Sequence, residues 1–228
     1  MDTLAKRLGG TRQLQQCNGR MVWPERGVYF FYESGEERSD SGFGQRITRV
    51  GTHAVSTGSK TSLWDRLRSH RGRADGLGGD HRGSIFRLLV GQSYTTRYGC
   101  ALSSWGLENS LKKAAARFRL APEAVRQNEA PIEQKVSEHI GSMPFLWLAI
   151  EDEPSACSMR AYIEKHSISL LSNHGKAPLD SPSTSWLGNY CTKVTVSGSG
   201  LWNSDYVDNR YDPVFLDVLS ELVESQEP

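Results

Sequence analysis

The chain has 228 residues, 37% of them apolar, and a formal net charge of +1. That length supplies one or at most two domains' worth of core, and the near-zero charge excludes a polycation that grips polyanions over its whole surface. The charge is unevenly spread, however: residues 1–97 hold 16 Lys/Arg against 9 Asp/Glu, and residues 98–228 hold 11 against 17. One part of the chain can therefore still face a polyanion. No apolar run is long enough to span a bilayer, and the first ten residues lack the apolar stretch of a secretory leader. Cys17, Cys100, Cys157 and Cys191 form no CxxC pair, so small buried thiols in a reducing cytoplasm are the expectation.

A short amphipathic helix is expected before Gly9-Gly10. Val28–Tyr32 has the aromatic and β-branched content of a strand, Glu33–Gly44 is polar enough for a loop, and Ile47–Val50 reads as the returning strand. Thr61 or Ser62 can cap a helix through about His70, with Leu63 and Leu67 on one face. Arg71–Gly83 is a Gly-rich basic loop. Ser84–Gly91 is apolar but too short to separate helix from strand, and 92–106 is loop-like. Helices are expected over Leu107–Leu120 and Pro131–Ile140. Pro144–Ile150 is continuously apolar and reads as a central strand. A helix follows from Ser158 to about His166, then Ile168–Leu171 leads to Asn173. Breakers at Pro182, Gly188, Gly198 and Gly200 precede a last helix over Pro213–Val223.

Arg66 and His70 stand at i and i+4, one turn apart on one helix face. An arginine can hold a phosphate by fixed hydrogen-bond geometry, and a histidine can move a proton near neutral pH. A carboxylate can hold one Mg²⁺, which offsets phosphoryl charge and stabilises a leaving oxygen. Other chemistries lack their residues: there is no GxxxxGK[ST] phosphate loop, no HExxH, and the six histidines are too scattered for a zinc centre.

The order of the pieces adds to this. Gly27-Val28-Tyr29, Arg49-Val50-Gly51, Leu63-x-x-Arg66-x-x-x-His70, then a strand and Tyr162-Ile163-Glu164 followed by Asn173 resembles the GIY-YIG nuclease superfamily. The resemblance implies a mixed α/β (α+β) fold: a small, three-stranded, mainly antiparallel sheet flanked by helices. It covers about residues 25–90 and 143–175 of a single elaborated domain, 1–228. Residues 92–140 are then a helical insertion and 180–228 a C-terminal extension. It implies an endonuclease that uses Mg²⁺ or Mn²⁺ to hydrolyse double-stranded DNA, in restriction or defence, with a homodimer as one way to cut both strands. Tyr29 and a histidine, His53 or His70, help the attacking water. Arg66 offsets phosphate charge, Glu164 binds the metal, and Asn173 organises the site.

The second motif departs from the family, because Arg49 stands where its tyrosine belongs. Arginine stays protonated and cannot act as a neutral phenol does. Three outcomes are open: Tyr29 carries the base role, Arg49 holds phosphate in a rearranged site, or the domain only binds DNA or a protein partner. Substrate grip is expected from Arg68, Arg71, Arg73, Arg82 and Arg87, continued by Lys112 and Lys113.

Overall fold

Alternation of side chains along two aromatic strands divides the core of this protein into two halves. The computed structural model describes residues 1–75 and 78–226. Gly76 and Leu77, inside the expected Gly-rich loop, lie outside the described residues. The strands β1 (Arg12–Gln13), β2 (Gly27–Glu37), β3 (Gln45–Gly51) and β4 (Pro144–Ala149) form one antiparallel sheet in the order β1-β4-β2-β3. The expected sheet has three strands; the fourth is the two-residue β1, too short to carry a pattern of its own. β4 lies between β1 and β2, as its unbroken apolar run requires.

Successive residues of a strand point to opposite faces. Tyr29, Phe31, Phe145 and Trp147 accordingly share one apolar cluster, and Val28, Phe30, Leu146 and Leu148 share another. The first face is covered by α2 (Leu63–Arg71), α3 (Ile85–Tyr98) and α5 (Pro122–Ser142), through Leu63, Leu67, Phe86, Leu89, Val136 and Ile140. The second is covered by α1 (Asp2–Arg7), α6 (Met159–Leu171) and α8 (Phe215–Glu224), through Leu4, Ile163, Ile168, Phe215 and Val223. The short α4 (Leu111–Phe118) packs on α5 through Ala114, Ala115 and Val125, and α7 (Val194–Ser199) lies in the C-terminal part.

Several boundaries differ from expectation. β2 continues five residues past Tyr32, because Glu33 and Glu36 are buried with partners rather than looped out. Glu33 Oε2 accepts the indole N–H of both Trp186 and Trp202 at 3.0 Å. Glu36 ion-pairs with Arg46 at 2.5 Å. The ambiguous segment after Ser84 is helical and runs on to Tyr98, capped by the Ser84 side chain and ended by Gly99 in the left-handed region. α5 starts at Pro122, where a missing N–H is harmless, and continues through Pro131. α6 is unbroken to Leu171, capped by Ser158. Cys17 and Cys191 are buried as expected, but Cys100 and Cys157 are exposed, and none of the four is in a disulfide. Among the described residues no helix is long and apolar enough to cross a membrane.

Two arginines expected to follow a phosphate backbone are buried in ion pairs. Arg87 is wholly buried and donates to both Glu133 Oε2, at 2.5 Å, and the carbonyl of His70, at 2.9 Å. Arg82 pairs with both oxygens of Glu129, at 2.6 and 2.7 Å, with 5% of its side chain exposed. These pairs tie the segment after α2 to α5. Arg87→Met leaves Glu133 buried with one fewer counter-charge and is expected to destabilise the fold by about 3–5 kcal/mol in urea unfolding. Adding Glu133→Leu should recover part of that loss, because both buried charges are then gone.

Candidate active site

β2 and β3 bring the two glycine-bearing triplets side by side, with Tyr29 opposite Gly51. A Cβ on Gly51 would lie 2.2 Å from the Tyr29 hydroxyl oxygen, so the ring fits only because position 51 has no side chain. A Cβ on Gly27 would lie 2.5 Å from the Leu148 carbonyl of β4. Both glycines are therefore fixed by close approach.

α2 is started by a capping box in which Ser62 and Asp65 satisfy each other's backbone. Its buried face delivers His70 to the tyrosine: Tyr29 hydroxyl and His70 Nε2 are 2.8 Å apart. On the other side of the ring, His70 Nδ1 is 2.7 Å from Ser84 Oγ. With Nδ1–H donated to Ser84, Nε2 is left to accept from the tyrosine. Burial holds the His70 pKa well below the ordinary histidine value, and the charges of Arg66, Arg49 and Arg87 lower it further. His70 is therefore neutral at pH 7, with Nε2 free to accept the tyrosine's hydrogen bond.

Two arginines face the same hydroxyl. Arg66 is half-buried, and the Tyr29 oxygen is the largest influence raising its pKa. Arg49 is 5% exposed; it donates to the Trp202 carbonyl and lies 4.6 Å over the Phe86 ring. Burial lowers its pKa, while Tyr29 and Glu164 act in the opposite direction. The Nε groups of both arginines are buried without a hydrogen-bond partner. Glu164, on α6, is partly accessible and accepts the Thr52 N–H at 3.0 Å through Oε1. Its pKa is raised by burial, against the pull of Arg49 and Arg66. Tyr29, Arg49, Arg66, His70 and Glu164 thus converge. The tyrosine and histidine form the closed interior, while Arg66 and Glu164 are the members that solvent reaches.

His53 is buried on the loop after β3, with Nδ1 2.8 Å from the Thr61 carbonyl. That fixes the proton on Nδ1 and leaves Nε2 an unpartnered acceptor. Burial pushes its pKa down to about 4. Asn173 is engaged within its own turn. Its amide donates to the Asp180 carbonyl and accepts from Leu179 N–H, both at 2.9 Å, closing the turn after α6. The Asp180 carboxylate in turn receives the N–H groups of Ser39, Asp40 and Ser41 in the β2–β3 loop. Nearer the site stands an asparagine the sequence did not single out: Asn203 caps both backbone groups of Val50, at 3.1 and 2.8 Å. Nothing local in Leu201-Trp202-Asn203 signals that role, since its partner is 153 positions away.

Of the other expected DNA contacts, Arg68, Arg73, Lys112 and Lys113 are exposed. Arg68 pairs with Asp65 and Arg73 with Asp75. Arg71 is folded back over the Trp64 ring and donates to the Cys17 carbonyl.

Two places offer metal-ligating groups. Asp80, His81 and Glu133 put one ligand atom each within 4.8 Å of one another, a cluster compatible with a divalent cation. In it, however, Glu133 already serves Arg87 and His81, and His81 Nε2 accepts the Gly106 N–H. Glu164 offers a carboxylate whose Oε2 makes no hydrogen bond among the described residues. A single hard oxygen donor is what Mg²⁺, which keeps most of its waters, takes from a protein.

A sheet of four antiparallel strands with helices on both faces defines a small mixed α/β domain, in which a tyrosine–histidine pair stands beside two arginines and a glutamate. The chain belongs to the GIY-YIG family: the family model described as "GIY-YIG domain" matches residues 1–228. No curated protein and no solved structure matches it.

The depressed histidines set an acid limit on stability. His53, His70 and His166 bind protons more weakly folded than unfolded, so stability present above about pH 6.5 is lost as pH falls toward their folded values. Urea midpoints should therefore begin to drop below pH 6.5, before any carboxylate with an ordinary or lowered pKa titrates. His53→Gln should flatten part of that slope. Gly51→Ala, which drives a methyl into Tyr29, should cost about 1–3 kcal/mol in the same assay.

Proposed function

We propose that the protein is a divalent-cation-dependent endonuclease acting on double-stranded DNA, with Tyr29, Arg49, Arg66, His70 and Glu164 as its centre. The observation that carries this is the Tyr29–His70 hydrogen bond, 2.8 Å, held between two guanidinium groups and a partly accessible glutamate. A neutral His70 takes the tyrosine proton at Nε2 while the tyrosine oxygen takes one from the attacking water. Arg49 and Arg66 stabilise the negative charge on that oxygen, and Arg66, the more accessible of the two, also meets the phosphate. The new bond forms at phosphorus as the 3′ oxygen departs. Glu164 would hold the divalent cation, which when bound would supply Lewis-acid stabilisation of a departing oxygen. His53 is neutral at pH 7 with Nε2 free to accept, so its part is to receive a hydrogen bond or proton rather than to give one. Exposed Arg68, Arg73, Lys112 and Lys113 supply phosphate contacts, and two copies would supply the two centres that a double-strand cut requires.

One observation favours a second reading. Tyr29 has no exposed surface, and Arg49 is tied to the Trp202 carbonyl, so the phenol is sealed from a substrate. In that reading the domain binds DNA, or a protein partner, without cutting.

Incubation with plasmid DNA separates the two. The nuclease reading expects nicking or cutting with Mg²⁺, none with EDTA, none with Glu164→Ala, and a loss of about 10²–10⁴-fold with Tyr29→Phe. Tight DNA binding without cutting, unchanged in Glu164→Ala, would establish the second reading. The metal position has its own readout: Mn²⁺ should raise the melting temperature of the native chain and of Asp80→Asn but not of Glu164→Gln. A rise lost only in Asp80→Asn would move the metal to the His81 cluster.

A further inference from the structure

A cleft of about 400 Å³ opens between α3, α5 and the 3-10 turn Leu187–Tyr190, with Glu33, a partner of the Trp202 indole, in its lining. At its rim Arg97 lies between two tyrosines. Its guanidinium carbon is 5.5 Å from the Tyr98 ring centre and 5.2 Å from that of Tyr190. Arg97 is held in place by a 3.1 Å hydrogen bond to the Ser185 carbonyl, and Tyr98 is braced by Tyr94, 4.6 Å away. Yet Tyr98 is 57% exposed and Tyr190 39%. A braced, cation-backed ring turned to water gains little in the free protein; what it presents is a π-face.

The cleft is lined by a buried acceptor. Glu33 Oε2 accepts the two indole N–H groups, and Oε1, paired with His139 Nε2 at 3.1 Å, keeps lone-pair capacity for a second donor. Burial pushes the Glu33 carboxyl up, and His139 with the two indoles more than offsets it, so the group is a carboxylate. Lys135, half-exposed and paired with exposed Glu138, stands at the edge as a cation that is easily redirected. Of the other two carboxylates in the lining, Glu36 is taken up by Arg46 and Ser183 and Glu138 is paired with Lys135. A flat face, a carboxylate acceptor and two cations at the rim fit a nucleobase with an exocyclic amino group, followed by its phosphates.

We propose that this cleft receives an unstacked nucleobase of a single-stranded segment of the polynucleotide. The base lies on the Tyr98 ring beside Arg97, with its amino edge toward Glu33. This rests on the nuclease reading and deepens it: the DNA presents an unpaired base about one tryptophan away from the cutting centre. Trp202 spans the two places, since its indole meets Glu33 and its carbonyl meets Arg49.

The test measures fluorescence anisotropy of a labelled twelve-nucleotide single strand, rich in adenine and cytosine, in EDTA with the Glu164→Gln chain, so that no cutting intervenes. Tyr98→Ala should weaken binding about tenfold, the order expected for one lost stacking partner. Tyr98→Phe, which keeps the π-face, should bind as the parent does. A blunt duplex of the same sequence should be indifferent to Tyr98→Ala. Single-strand affinity unchanged in a folded Tyr98→Ala chain would overturn the proposal, as would equal weakening of strand and duplex. Adenosine monophosphate is added as a competitor. Displacement only at far higher concentration than an unlabelled strand is expected; equal potency would mark a free-nucleotide site and reject the polynucleotide. If the native chain never cuts plasmid but these results hold, the nuclease reading fails alone. If it cuts and Tyr98→Ala binds normally, only the cleft assignment fails.

Discussion

The hydroxyl of Tyr29 occupies space that any side chain at position 51 would fill. That exclusion is the constraint on which the rest of the site depends. It requires the β2–β3 register that sets Tyr29 opposite Gly51, and it leaves the hydroxyl pointing at α2. α2 must then dock at one height, with His70 within hydrogen-bond distance. Ser84 fixes the far side of the imidazole while capping α3. One missing side chain thus connects a strand register, a helix position and a helix start, and the Tyr29–His70–Ser84 hydrogen bonds run through all three.

Electrostatics in this interior is a contest between burial and neighbours. Burial wins at His53, His70 and Glu164, keeping the two histidines neutral and opposing ionisation of the glutamate. Neighbours win at Glu33, Glu133 and Asp180, each of which is held ionised by several donors. The difference follows from the number of hydrogen bonds: Glu164 has one to the protein, whereas Glu133 and Asp180 each have several. A group left short of partners at the edge of an arginine pair is chemically unfinished, while the saturated carboxylates are structural keystones. Arg49 belongs to both kinds. Its charge faces Tyr29, but its contacts are to Trp202 and Phe86.

What could be seen in the sequence was what local spacing encodes. The glycine triplets, the i,i+4 pair Arg66 and His70, the apolar run of β4 and the position of Glu164 on a helix needed only neighbours along the chain. What could not be seen depends on distant partners. Arg82 and Arg87 look like free cations until α5 supplies Glu129 and Glu133. Glu33 and Glu36 look like loop residues until Trp186, Trp202, Arg46 and Ser183 arrive. Asn173 matched by order alone, and order does not record that its amide is used up within its own turn. Pro131 marks a helix start by local rule, but here the burial of Val125 and Ile132 carries one helix across it.

The lid on Arg49 has a consequence for how the protein is made. The carbonyl that holds this guanidinium belongs to Trp202, and Asn203 caps the neighbouring Val50, each 153 positions downstream. On a ribosome, every strand, α2 and Glu164 emerge before that segment exists. A chain still being synthesised can therefore assemble its sheet while Arg49 lacks its anchor. Translation order makes the centre the last part of the molecule to be completed.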